Sequence, residues 1–219
     1  MRGNGARREK HTRGVGWALV TENDDSPGVA VWSAALELVA ELLPEALLPI
    51  IDGRIFFIVS LSAFDEVSAG HGYHMAYFDR LNHMVVLREL RLSPAASKEE
   101  AVFEVMPFVI HELAHAAHIE WAHSKADALK YRKVFDRDLA GRHERGVFVT
   151  RYATTNYLED FAENVMWLVI GGLAPDSVPA ARLRVLGIDP AALAEMADTP
   201  LAKRTLVYHR RFLREVERR

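Results

Sequence analysis

No cysteine occurs among the 219 residues, and that absence removes several chemistries at once. There is no disulfide framework, zinc ribbon, thiol nucleophile or iron–sulfur cluster to look for. A transition metal, if one is held, must be held by imidazoles and carboxylates. Long apolar runs are also missing. The longest, Val165 to Ala174, contains two glycines and covers about half a membrane span. Val15 to Val20 is too short for a signal-peptide core, and no small-residue cleavage pattern follows it. The expectation is a chain that is cytoplasmic at synthesis and has no membrane span, with export by a route using no cleaved signal left open.

What is present is ordinary for a soluble globular protein: 50% hydrophobic residues, 26% charged residues and a net charge of −3. The charge is unevenly spread. Residues 1–13 carry five Lys/Arg against one Glu, and residues 203–219 carry seven against two. The body between them is therefore acidic, about −12 by difference. Two short basic ends on an acidic body read as solvated termini, so nucleic acid is not the expected partner. The length suits one domain with a sizeable core.

Along the chain, residues 1–28 read as a flexible basic lead-in and 29–219 as a single domain with a helical C-terminal part. Helical periodicity in Val31, Ala35, Leu38, Val39 and Leu42 predicts a first helix over Val29 to Leu43. Ile55 to Ser60 is a short β-rich run, while Met75 to Asp79 and His83 to Leu90 read as a hairpin. Ser97-Lys98-Glu99-Glu100 is a capping-box pattern that opens a long helix, with Pro107 as a kink or its true start. Further helices are expected over Lys125 to Leu139, Phe161 to Ile170 (stopped by Gly171-Gly172), Ala180 to Leu186, after Pro190, and Leu201 to Val216. The fold class is α+β: helix-rich, with a small sheet preceding the long helix.

Inside that helix lies His111-Glu112-Leu113-Ala114-His115, an H-E-x-x-H pattern. Four residues advance about 400° on a helix, so both imidazoles leave nearly the same face and can meet one ion. Glu112, about 100° round, lies beside the ion and can take a proton from its bound water. Independent placement gives about 0.04 occurrences of the pattern in such a composition. Apolar flanks, Phe108-Val109-Ile110 and Ala116-Ala117, would make a metal-free buried His-Glu-His cluster costly.

A hydrolytic zinc site needs a third protein ligand and an open position. Trp121 stands where a metzincin has its third histidine, and a deformylase-type cysteine is impossible here. Carboxylates at Glu159 and Glu163, four apart on one helix face, are the downstream candidates, and spacing does not choose between them. Glu120, Asp136, Asp138 and Glu144 compete but sit among solvated charges. His118 shares the face of His111 one turn beyond His115, where it would flank a site rather than bind metal. His71 and His74 have H-x-x-H spacing in a Gly-flanked loop that favours solvated residues. Trp121 and Trp167 read as core or cleft aromatics, and His83, His123, His143 and His209 carry no signal.

HELAH followed after about forty residues by YATTNYLEDFAE resembles the gluzincin peptidases of the anthrax lethal factor type, a group that includes the bacterial Pro-Pro endopeptidases. The resemblance covers chiefly residues 84–170. It implies a zincin-like metallopeptidase domain with one Zn²⁺ held by His111, His115 and Glu159. Glu112 would be the general base, Tyr152 the oxyanion stabiliser and Glu163 a partner for a ligand histidine. It also implies a peptide or protein substrate, added as a strand beside His83 to Leu90. Tyr157, Leu158 and Asp160 read as fillers of the motif. The competing expectation is a non-catalytic, metal-stabilised regulatory or binding module. Substrate preference and oligomeric state are not legible.

Overall fold

The computed structural model describes residues 6–22, 26–67, 75–90, 97–122, 124–141 and 146–216. His71, His74, His123, His143 and Glu144, singled out above, lie outside the described residues. Two strands come from the stretch expected to be a lead-in. β1 (Ala6–Thr12) and β2 (Val15–Thr21) form an antiparallel hairpin. It is closed by Arg13 and Gly14 at φ 53° and 77°, the positive pair that a two-residue hairpin turn needs. The lead-in expectation is therefore corrected for residues 6–21. β1, ARREKHT, is an edge strand that pairs through its backbone and presents its charges to water, so it shows no apolar periodicity.

β2 pairs in parallel with β3 (Arg54–Val59). Between them run α1 (Pro27–Leu42), a 3₁₀ turn at Glu45–Leu47 and α2 (Leu48–Ile51). Arg54, Phe56 and Ile58 alternate inward along β3. After α3 (Leu61–Val67) come β4 (Ala76–Asp79) and β5 (Met84–Arg88), paired antiparallel, with β5 parallel to β3. The sheet order is β1-β2-β3-β5-β4. β5 is thus enclosed by β3 and β4, which overturns its expected role as the strand beside the substrate: both of its hydrogen-bonding sides are occupied. Among the described residues, the edge strand at this end of the sheet is β4.

The spine of the helical layer is α4 (Lys98–Trp121), which packs against α1 and, further on, against α6 (Tyr157–Val169) and α9 (Pro200–Val216). Its start is as the capping box predicts, with the Ser97 hydroxyl accepting from Glu100 N at 3.4 Å. The helix runs through Pro107, which is buried, and residues 101–118 are almost wholly enclosed. α5 (Lys125–Ala140) is amphipathic, burying Tyr131 and Phe135. α7 (Val178–Ala181), a 3₁₀ turn at Arg182–Leu186 and α8 (Pro190–Leu193) make up the short helical stretch after Pro175. The fold is helix-rich α+β with one small mixed sheet. No helix among the described residues is long and apolar enough to cross a membrane.

α6 begins four residues earlier than its periodicity predicts. Asn156 is an extended N-cap whose side-chain oxygen accepts from Leu158 N (2.9 Å) and Glu159 N (3.1 Å). The helix stops where Gly171 turns to φ 74° and Gly172 N bonds back to Trp167 O at 2.8 Å. A Cβ on Gly172 would lie 2.1 Å from the Trp167 ring. Gly172→Ala should therefore push that indole from its seat and destabilise the fold by about 1–3 kcal/mol, as read from urea unfolding. An unchanged midpoint would show that the ring has room to move.

Candidate metal centre

Because α4 is buried on nearly all sides, its motif side chains are enclosed: His111, Glu112 and His115 are all under 10% exposed. α6 crosses α4 and brings its first turn over these residues. His111 Nε2 lies 3.0 Å from Glu159 Oε2 and 3.2 Å from His115 Nε2, and His115 Nε2 lies 3.3 Å from the same Glu159 oxygen. Three lone-pair donors thus form a nearly equilateral triangle. A tetrahedral ion about 2.0–2.1 Å from each donor requires donors about 3.3 Å apart, so the donor set fits zinc in number, type and spacing. Among the described residues, these three form the one His/Asp/Glu group with the spacing to hold an ion.

Around the triangle, α6 contributes a second carboxylate one turn on. Glu163 Oε1 is 3.1 Å from His111 Nδ1, and its other oxygen accepts from Thr150 Oγ1 at 2.6 Å and Trp167 Nε1 at 3.3 Å. A carboxylate on the far nitrogen fixes the imidazole's orientation and leaves Nε2 to face the donors. Thr150 also accepts from Ala153 N at 3.1 Å, which ties Glu163 to the 3₁₀ turn at Tyr152–Thr154. That turn sets the Tyr152 ring 5.9 Å from the His111 ring, and its hydroxyl bonds to Glu159.

The charges respond to this crowding. Burial opposes a proton on His111, but hydrogen bonds to Glu159 and Glu163 and the field of Glu112 outweigh it and lift its pKa to about 10. Glu159 is buried too, yet its bonds to His111 and His115 hold its carboxyl well below the usual range. Glu112 goes the other way: burial raises its pKa against the pull of the two histidines, with a smaller lowering from the Phe78 backbone. Burial also raises the Tyr152 phenol, reinforced by the Glu159 and Glu112 charges, so it remains a proton donor at neutral pH. His115 Nδ1 is buried without a hydrogen-bond partner among the described residues.

His118 is not where its face predicted. One more turn along α4 carries it away from the triangle into an aromatic pocket, edge-on to Phe161 at 4.8 Å and near Tyr131 and Tyr157. Burial depresses its pKa to about 4, and among the described residues its Nε2 has no partner and it makes no hydrogen bond to the triangle. Packing, rather than support of a ligand, is what its surroundings provide. Glu120 instead pairs with Arg54 at 3.0 Å, and Asp136 and Asp138 belong to α5, away from the donors. Trp167 is buried and bonded to Glu163, while Trp121 borders a cavity of about 260 Å³ behind the end of α4. Thr150, Asp160 and Arg182 stand in no motif that marks them as functional in the sequence. The four-residue step from Glu163 to Trp167 was the one signal available for this shell.

No protein-family model and no curated protein matches this chain. Among solved structures, the chain is similar to one described as "a putative zinc-binding metallo-peptidase" from Bacteroides caccae, with 15% identity and a TM-score of 0.41, covering 83% of this chain and 79% of that one. So loose an overlap carries no chemistry across.

The His111 shift has a consequence for metal binding. Its raised pKa means that the protonated form stabilises the metal-free fold fully below about pH 6.5, and that this contribution is lost as pH rises through about 10. A zinc ion held here would have to displace that proton, so affinity should rise roughly tenfold per pH unit between pH 7 and 9. Chelator competition at stepped pH measures this, and a flat profile would mean that His111 is already neutral. Glu163→Gln should weaken zinc binding about 10- to 100-fold while the protein stays folded.

Proposed function

We propose that this chain is a zinc-dependent metalloendopeptidase, with His111, His115 and Glu159 holding one Zn²⁺, Glu112 as general base and Tyr152 as oxyanion stabiliser. The observation that carries the reading is the donor triangle, two imidazole nitrogens and one carboxylate oxygen at 3.0–3.3 Å from one another. Three protein donors leave a tetrahedral ion one position for water or substrate, which a purely structural site has no use for. Bound there, zinc supplies Lewis acidity that activates a water and polarises a peptide carbonyl.

The protein groups do the rest. The raised pKa of Glu112 suits a carboxylate that takes a proton and returns it to the leaving amine. Tyr152, 39% exposed and kept protonated, can donate to the oxygen that gains charge as the carbonyl is attacked. Glu163, braced by Thr150 and Trp167, holds His111 in one orientation.

A peptide would lie along β4. Arg88 N donates to Met75 O at 2.9 Å, so by antiparallel alternation Tyr77 and Asp79 turn their backbone groups to β5, while Ala76 and Phe78 turn theirs to the open side. β4 packs against α4, and the Phe78 backbone is close enough to Glu112 to lower its pKa. A peptide added as a strand on this edge would run past the general base.

Glu112→Gln should retain zinc and lose hydrolysis of a peptide library by at least about 10²-fold. Tyr152→Phe should lower kcat by about 10²-fold with little change in zinc content. Full activity in zinc-loaded Glu112→Gln would sink the assigned mechanism. A protein whose melting temperature falls on chelation but which cleaves nothing would instead be a metal-stabilised binding module.

A further inference from the structure

About 100° round α6 from Glu159 lies a second polar cluster that the proposed chemistry does not use. Asp160, the residue after Glu159, is fully buried and faces Arg182, itself 2% exposed. Arg182 grips it with both arms of the guanidinium: Nε to Oδ2 at 2.9 Å and Nη2 to Oδ1 at 2.7 Å. Tyr131 Oη donates to Asp160 Oδ2 at 2.8 Å, and Asn164 Nδ2 donates to Tyr131 at 3.3 Å. Arg182 is fixed in turn by Asp138 Oδ2 (3.1 Å) and Val147 O (2.8 Å), and lies over the Phe148 ring at 4.7 Å.

We propose that Arg182, acting through Asp160, is the positioning residue that sets the rotation of α6 and so aims Glu159 at His111 and His115. The inference rests on the metal-site reading above. His111 and His115 share one helix and need only its periodicity to converge. Glu159 arrives on another helix, where a turn about the axis by one residue would swing its carboxylate about 100°. Asp160 is that one residue away, so pinning it against Arg182 also fixes the direction of Glu159. The Asn156 cap fixes where α6 begins, but not its rotation against α5 and the 147–148 segment, whereas the Asp160 cluster ties α6 to both.

Stability alone does not account for such a pair. Taking two opposite charges wholly out of water is commonly no better than burying apolar groups of the same volume. A two-armed guanidinium–carboxylate contact adds direction, because both bonds are made at one orientation only. Arg182 follows α7, in a part of the chain where the sequence carries no motif. That part therefore belongs to the metal site.

The test measures zinc dissociation constants by competition with a chromophoric chelator, at a temperature where circular dichroism shows each metal-free variant folded. Melting temperatures and the visible spectrum of the Co²⁺-loaded protein are recorded alongside. Arg182→Lys keeps the charge but loses the fork. It should weaken zinc binding about 10- to 100-fold and alter the Co²⁺ bands. Arg54→Lys, at the Arg54–Glu120 pair, should lower the melting temperature without either effect. If Arg182→Lys does not fold, Tyr131→Phe removes one bond to Asp160 at little cost in packing and should weaken zinc roughly three- to tenfold. Arg182→Lys, or Tyr131→Phe in its place, with a lower melting temperature but wild-type zinc affinity and Co²⁺ spectrum would overturn the proposal. Wild-type protein that binds no zinc, with Glu159→Gln making no difference, would sink the metal-site reading and this inference with it.

Discussion

Everything distinctive about this structure depends on the crossing of α6 over α4. Two imidazoles from one helix and a carboxylate from another meet inside a layer that is otherwise aliphatic and aromatic. Groups that each prefer water are held within about hydrogen-bond distance of one another, and the ledger of charge closes only if protons or a cation lie between them. In the metal-free chain a proton does this work, which is why His111 is drawn so far toward its charged form. A divalent ion could do the same, since two imidazole nitrogens and a carboxylate oxygen already stand at the spacing a tetrahedral ion requires.

That crossing is supported at two places on α6. On the flank of the triangle, Glu163, Thr150 and Trp167 form a chain of hydrogen bonds that ends on His111, and Gly172 leaves the space that Trp167 needs. About 100° round the helix from Glu159, Asp160 is locked to Arg182 and Tyr131. The helix is thus fastened by polar contacts that are directional, where apolar packing alone tolerates small rotations and slides. The sheet has a separate part. Its edge strand β4 lies against α4 with the Phe78 backbone near Glu112, so the region beside the donors is bounded by a sheet edge.

Much of this was legible from residues. The apolar period around HELAH places both histidines on one helix face, the capping box at Ser97 opens that helix, and the hairpin over 75–90 and the stop at Gly171-Gly172 stand where patterning puts them. The misses have physical causes. β1 is charged because an edge strand needs only its backbone, and the apolar run of β2, too short for a signal core, has the length of a strand. His118 shares a helical face with His111, but a face is wide enough for one turn to reach a cluster of donors and the next an aromatic pocket. Asp160 looked like a filler because its partner is 22 positions away.

The sequence by itself determined what is local: helix periods, caps, turns, the four-residue step that aligns His111 with His115, and the exclusion of thiol ligands by the absence of cysteine. Those follow from neighbours a few residues apart, whose geometry the backbone dictates. Only the tertiary structure decided which carboxylate meets the histidines, which strand is left at the edge, and what holds α6 at its angle. Each of those joins residues from separate elements, and no local rule relates the rotation of one helix to the face of another. That relation is set by the packing of α4, α5, α6 and the segment carrying Arg182 around a shared interior.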